Sequence, residues 1–579
     1  MDVKLNKRVV TTPKTRALIQ AAPATVTHKS LAKRFAVSVS TIRYWRSKVS
    51  VQNHSHTEPN ETISKTVRPQ PLQRDAITPI KQKALAEDNN IEDVIMSKQE
   101  KLRGLSDIYR FFRKNTTPIY FVSPTAYNIL GLGQWIQGFK YITHFDSFDG
   151  GHFRVTNPQQ NTDREFQSME DMANYLLSHK ESVDLFSEHG GKGKILTVMF
   201  DEKTEEIAKS LGVDIALPPA ELRTRLDSKI VTTQLANEAG VPSAPNLVDV
   251  EASSYEELQS LAKEKKLGDK LVVQTPYGDS GKTTYFINNQ EDWDKNAEKI
   301  LGEKLKVMKY INHIPGTVEA VATRCGTMVG PLQTDITGYA ELTPYKGGWC
   351  GNDIFPEILQ GEQRDKIIEM VKAMGDKLYE TGYRGTFCFD YLVDTDDGEV
   401  YLGEINPRIS GASPLTNLVT SKYGGIPLML FHLLEFMDVD FEIDIDEIQK
   451  RWSDFGSWTQ LVLKHTEDEV RMITKAPESG IWRMCDDGNI DFMRKSIDWN
   501  NVGDEQDAFY LRVYAEGDYS YLGADMGILV TRGRMQTDDR QLLPRAHKWV
   551  EAINSQFEYK ALSELEVPYI PTDNVRKMI

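Results

Sequence analysis

The chain has little cysteine and no long apolar run. Its four cysteines, Cys325, Cys350, Cys388 and Cys485, are scattered through 579 residues without a CxxC pair. That pattern excludes a disulfide framework and a zinc site of ordinary ligand spacing, and points to reduced thiols. The most apolar stretch, residues 426–436, is interrupted by Pro427 and His432 and is too short to cross a bilayer. No apolar signal core opens the sequence. A soluble cytoplasmic chain with no membrane partner is expected. Positive charge is also scarce, with 69 Lys and Arg against 84 Asp and Glu. The scarcity is uneven, because residues 1–50 carry eleven Lys and Arg against the single acid Asp2. A basic arm on an acidic body suggests two tasks.

Apolar residues make up 40% of the chain, which predicts a globular protein of three or four domains. Residues 28–48, HKSLAKRFAVSVSTIRYWRSK, read as two helices around a tight turn, with Arg43, Arg46 and Lys48 outward. The segment resembles a helix-turn-helix, so residues 1–50 form a candidate DNA-binding domain. Docking on the acidic body is the other reading. Residues 51–90 are polar without hydrophobic period and read as a disordered linker. Over 91–225, strands at Ile119–Val122, Ile195–Phe200 and Val213–Leu217 alternate with helices such as Glu202–Leu211, an α/β layer. Gly131 and Gly133 are followed by Gly138, too late for a dinucleotide fingerprint.

From Leu226 the residues begin to suggest chemistry. A helix over Ser228–Ala239 starts with Lys229 in its first turn, an unfavourable place for a cation unless it reaches an anion. Strand, turn and strand follow in KLVVQTPYGDSGKTTYF, residues 270–286. The turn from Gly278 through Ser280, Gly281, Lys282 and Thr283 can offer backbone N–H groups and a lysine to phosphates. It is not a Walker loop, since Pro276 stands where the first glycine belongs and a strand follows. A flexible flap fits better. Lys309, Tyr310 and Ile311 end the next strand, and their backbone groups are candidates for reading an adenine edge; the side chains of Met308 and Tyr310 read as ordinary core.

The stretch GTFCFDYLVDTDDGEVYLGEINPRISGASPL, residues 385–415, has two apolar runs around the turn signal Asp396-Asp397-Gly398. A loop centred on Asp397 sets Asp390 opposite Glu404, and like charges facing across a hairpin call for a cation between them. Glu404, Asn406 and Arg408 share one face by the two-residue period. Two carboxylates, an amide and a guanidinium suit a hard divalent ion carrying nucleotide phosphates.

In this order the motifs resemble the ATP-grasp family over residues 117–440, and more weakly to about 560, where the chain is similar to biotin-carboxylase-type members. The resemblance implies an α/β fold, α+β in its ATP-grasp part. It divides the chain into an N-terminal α/β domain (91–225), an ATP-grasp domain (226–440) and a β-rich C-terminal domain (441–579). It implies one or two Mg²⁺, with Mn²⁺ a substitute, on Asp390, Glu404 and Asn406. ATP would be held by Lys229, Gln274, the flap residues Gly278 to Thr283, and Lys309, Tyr310 and Ile311, with Glu319 on the ribose. Arg408 and Lys282 would be the catalytic cations. Gln274 stands where many members carry a lysine, weakening or moving one contact. Residues 334–358 lack the bicarbonate and biotin segment of biotin carboxylases.

The expected activity is a carboxylate–amine ligase working through an acyl phosphate, on a small carboxylate and an amine. A carboxylase, or a DNA-binding regulator with a nucleotide-sensing body, are the alternatives. The expected substrate lid is Tyr345, Lys346, Trp349 and Asn352, with Arg408 and Ser410 beside it. A homo-oligomer is compatible with all of this. Removal of residues 1–90 is expected to leave ATP turnover largely unchanged, which a steady-state ADP-release assay on the shortened chain checks.

Overall fold

A computed structural model describes residues 101–159, 166–188, 190–278, 283–437 and 439–561. The helix-turn-helix-like segment, the linker and the flap tip (Ser280, Gly281, Lys282) lie outside the described residues.

The first layer is a parallel sheet of β1 (Ile119–Ser123), β2 (Phe139–Thr143), β3 (Val155–Thr156), β4 (Lys194–Leu196) and β5 (Asp214–Ile215), ordered β3-β2-β1-β4-β5. Central β1, IYFVS, is buried along its whole length. An unbroken apolar run of this kind suits a strand covered on both faces. The helix Glu202–Ser210 begins where Asp201 and Thr204 close a capping box.

A small lobe follows, an antiparallel sheet of β6 (Asn246–Val250), β7 (Leu271–Gln274), β8 (Thr284–Ile287) and β9 (Leu305–Lys309), ordered β6-β9-β7-β8. It has a hydrophobic core of its own, built from Leu258, Leu271, Val273, Ile287, Trp293, Leu305 and Val307. The strand before the flap and the strand after it are therefore β7 and β8.

The main body is a ten-stranded sheet. Its strands are β10 (His313–Thr323), β11 (Gly326–Thr337), β12 (Trp349–Ile354), β13 (Gly385–Asp394), β14 (Val400–Asn406), β15 (Trp458–Lys464), β17 (Gly480–Met484), β18 (Ile490–Lys495), β19 (Asp507–Arg512) and β21 (Asp525–Arg532). A separate three-stranded sheet holds β16 (Arg471–Lys475), β20 (Tyr519–Ser520) and β22 (Glu558–Ala561). The helix Glu362–Glu380 lays Ile367, Met370, Val371, Met374 and Leu378, at helical spacing, against the core shared with β10 and β11. The expected division at residue 441 falls within one sheet: β12 pairs antiparallel with β15, Asp353 opposite Thr459. What was expected as a separate C-terminal domain therefore extends the sheet that carries the site.

Gln460 on β15 ties three segments together. Its amide N–H donates to Asn352 Oδ1 (3.0 Å) and to the Gly411 carbonyl (2.7 Å), and its Oε1 accepts from Tyr127 (2.6 Å). On β10, Gly316 pairs with Tyr391 of β13, and an added Cβ would lie 2.3 Å from the tyrosine ring and 2.6 Å from the Gln333 carbonyl. Gly316→Ala is expected to destabilise the body by about 1–3 kcal/mol through overpacking, read as a lowered Tm in thermal unfolding.

Candidate active site

The β13–β14 hairpin sets the site. Near the turn, Val393 pairs with Val400 and Tyr391 with Leu402, a register that continued unchanged would oppose Asp390 to Gly403. A bulge at Gly403 adds one residue, and Asp390 faces Glu404 instead. A Cβ at 403 would meet the Asp390 carbonyl at 3.1 Å and Leu392 at 3.3 Å, so the close turn of the chain favours glycine. The expected pairing is present, but the bulge produces it rather than a loop centred on Asp397.

The cation that meets this pair is Lys229, on the Glu404 side only. It is the first residue of the helix Lys229–Glu238, behind the N-cap Ser228, whose hydroxyl accepts from the Val231 N–H. The ammonium is 4% exposed and donates to Glu404 Oε1 (2.9 Å) and to the Gly278 carbonyl at the root of the flap (2.5 Å). One lysine thus joins the metal-type carboxylate to the flap.

Asp390 accepts from the Thr317 hydroxyl (2.8 Å) and the Asn406 amide N–H (3.1 Å). Burial first, then the Glu404 charge, pushes its carboxyl above the usual range. Asn406 turns its oxygen to Arg408 Nη1 at 2.7 Å, and the same guanidinium nitrogen donates to Asp227 at 2.9 Å. In this arrangement Asn406 presents nitrogen, not oxygen, to Asp390; it would join a metal's ligands only after its amide rotates. Among the described residues no three His, Cys, Asp or Glu side chains meet as a ligand cluster. The Asp390–Glu404 pair suits Mg²⁺, which commonly takes one or two carboxylates and fills its octahedron with phosphate and water.

The open face of the small lobe looks toward this pair. Leu305 and Val307 enter the lobe core, so Lys306 and Met308 turn to the opposite face. The register makes two rows there: Phe286, Val272 and Met308, then Thr284, Gln274 and Lys306. The first row is apolar, with Phe286 52% exposed, a surface on which a flat base can lie. The second row is polar and sits nearer Glu404, whose charge is felt at Lys306. Gln274 donates to Thr284 Oγ1 (3.0 Å). At the hinge, the Lys309 N–H donates to the Pro245 carbonyl and the Tyr310 N–H to the Lys270 carbonyl. Both are therefore occupied by the fold, leaving the Ile311 N–H as the candidate for an adenine edge. The Tyr310 ring sits edge-on to Phe286.

Three expected placements change. Glu319 is 1% exposed and accepts from the Ser410 (2.8 Å) and Ser413 (2.5 Å) hydroxyls, sealed behind the Arg408 loop instead of open to a ribose. The expected lid splits: the Trp349 indole donates to Asn352 (3.2 Å) and packs under Gly411, whereas Lys346 is exposed and Tyr345 reaches Gly523. Gln274 is buried, its amide on Thr284, and the residue paired with it on β9 is Lys306.

Asp227, Thr317, Lys306 and Asp335 were not foreseen. Asp335 accepts from Asn352 (2.8 Å), and burial together with the Asp390 charge raises its pKa. For Asp227 the signal was its two-residue spacing before Lys229; for Asp335 there was none until β11 was paired with β12.

Residues 357–433, which include Asp390, Glu404 and Arg408, match the family described as Carbamoyl-phosphate synthase L chain, ATP binding domain. The carbamoyl phosphate synthase large chain of Neisseria meningitidis serogroup B is 25% identical over 222 residues, 38% of this chain and 19% of its own length. The butirosin acyl-carrier protein–L-glutamate ligase of Niallia circulans is 24% identical over 266 residues, 42% of this chain and 58% of that ligase. The chain thus spans less than two thirds of either relative. Among solved structures, biotin carboxylase of Campylobacter jejuni shares the fold at a TM-score of 0.52 and 15% identity, over 79% of this chain and 93% of that one. The biotin carboxylase domain of the Hydrogenobacter thermophilus 2-oxoglutarate carboxylase does so at 0.51 and 15%, over 78% and 92%. The fold is that of ATP-grasp structures. The chain is similar to the ATP-grasp superfamily, and the relatives it matches are synthases, ligases and carboxylases.

Burial pushes Glu319 up to about 7 from an ordinary 4.5, against the pull of the three hydroxyls of Ser413, Ser410 and Thr416. The folded protein therefore holds this proton where the unfolded chain has released it, and stability falls as pH rises from 4.5 to 7. Glu319→Gln, free of nucleotide and metal, is expected to melt above the parent at pH 8, with the gain shrinking toward pH 4.5; thermal unfolding across that range checks it.

Proposed function

We propose that this protein is an ATP-dependent carboxylate–amine ligase. A substrate carboxylate attacks the γ-phosphorus of ATP, releasing ADP and giving an acyl phosphate. The amine nitrogen then bonds to the acyl carbon, the carbon–oxygen bond to phosphate breaks, and a proton leaves the nitrogen. The observation that carries this reading is the junction of Lys229, Glu404, Asp390 and Arg408 beneath the root of a glycine flap.

Each residue has a task in that scheme. Asp390 and Glu404 would hold Mg²⁺, which when bound neutralises phosphate charge. Lys229, which lies against Glu404 and the flap root, would offer its ammonium to the phosphates. Arg408, steered by Asp227 and Asn406, faces the oxygens that gain charge as the acyl group transfers. Asp335, largely buried next to Thr317 and Asn352, offers an acceptor to the incoming ammonium group. The ligase of Niallia circulans, named for joining L-glutamate to an acyl-carrier protein, supports acyl activation as the shared chemistry.

A carboxylase is the second reading, favoured by likeness to biotin carboxylases across more than three quarters of the chain. A panel of carboxylates with ATP and hydroxylamine separates the two. The ligase gives a hydroxamate with one acid; ADP release that needs bicarbonate and biotin, with no hydroxamate, would favour the carboxylase. Glu404→Gln is expected to slow ADP formation by about two orders of magnitude or more with the fold retained by circular dichroism, and normal turnover in that variant would discard the metal assignment.

A further inference from the structure

The lobe's open face contains a cation that the fold alone does not explain. Lys306 is 2% exposed, and among the described residues its ammonium makes no hydrogen bond or ion pair. Burial lowers its pKa to about 8 despite the pull of Glu404, and the charge of Lys229 lowers it further. A buried ammonium without a partner is costly, and an apolar residue at 306 would serve the sheet better. Its row neighbour Gln274 is 7% exposed and leaves Oε1 without a hydrogen bond. Two polar groups facing one way from paired strands are therefore incompletely satisfied at the same place.

The charges around them describe what is missing. Glu404 is engaged by Lys229, and Lys306 lies within electrostatic reach of both. Once a divalent ion takes Glu404, Lys229 and Lys306 become two ammonium groups without a counter-charge. Only a multiply charged anion satisfies them together. The apolar row of Phe286, Val272 and Met308 lies one step along the same strands, at the distance of a base from its phosphates.

We propose that Lys306 is the phosphate-contacting cation of the small lobe, donating to the nucleotide's phosphate chain from β9 across the row from Gln274. The assignment rests on the ATP reading above and deepens it. Its ligand is the phosphate chain of a nucleoside di- or triphosphate, and its partner in the contact is Lys229. Because Gln274 and Lys306 are register partners, a lysine on either strand starts from the same face of the sheet at neighbouring points.

The test titrates the full chain with MgADP and, in parallel, with adenosine by calorimetry. The parent is compared with Lys306→Met and with the exchange Gln274→Lys/Lys306→Gln, and each nucleotide-free protein is melted. Lys306→Met is expected to weaken MgADP on the order of 10- to 100-fold, as loss of a charged hydrogen bond does, and to leave adenosine unchanged. Its Tm without nucleotide should equal or exceed the parent's, because a buried unpaired charge is gone. The exchange should regain most of the MgADP affinity. Unchanged MgADP binding in Lys306→Met overturns the assignment. So does an equal loss of adenosine, a lowered Tm that accompanies the loss, or an exchange that regains nothing. A parent that binds neither MgADP nor adenosine would instead overturn the ATP reading, and this assignment with it.

Discussion

Two carboxylates held face to face in a low-dielectric strand pair are the constraint on which the remaining site depends. Asp390 and Glu404 repel, and burial makes each charge costlier, so the hairpin requires cations around it. Without a metal that need is met from the side, by Lys229, whose ammonium also holds the flap root through Gly278. Arg408 is held in the same way by Asp227 and Asn406. Glu404 is thus paired with Lys229 and Arg408 with Asp227, while Asp390 is met by the neutral donors Thr317 and Asn406. In the proposed reading, a metal on the two carboxylates and a polyphosphate near the lysines would take up these charges in new pairs.

The scaffold divides labour along its sheets. The ten-stranded sheet carries the carboxylates, Arg408's loop and Asp335, all positioned by backbone ladders and a helix packed on one core. The small lobe carries the apolar row, Gln274 and Lys306 on a sheet with a separate core. In the proposed reading, groups that keep a fixed geometry stand on the large body, and groups that would meet the nucleotide stand on a smaller unit joined to it by the flap-root contact. Such a division suits a site that must open to admit ATP and then exclude water.

How much of this could be read from the residues alone follows from the same physics. The Asp390–Glu404 pair was legible because carboxylates inside apolar runs are rare unless something pairs with them, and the Asp-Gly turn placed the strands. The bulge at Gly403 was not, since a single glycine in a strand does not reveal which neighbour approaches it. Lys229 stood out through the order of motifs that resembles the ATP-grasp family, since its place against the helix dipole alone favours an ordinary exposed lysine. Lys306 was hidden among the lysines of LKVMK: which of them points inward depends on which face of β9 meets the lobe core. Glu319 and the lid were misplaced for a related reason. Their burial is decided by the Arg408 loop and by β15, both far away in the chain. The boundary expected at 441 failed because strand pairing between β12 and β15 joins segments about a hundred residues apart.

Gln460 shows what that joining entails. One amide side chain, more than fifty residues past the guanidinium, fixes the loop just after it, the strand bearing Asn352, and Tyr127 of the opening layer. The floor beneath the Arg408 loop is therefore shared property of three stretches that are remote in the sequence. Drift in any one of them is answerable to the other two, so new substrate preferences should arise more readily at Tyr345 and Lys346, which are exposed, than at Trp349 or Asn352 beneath.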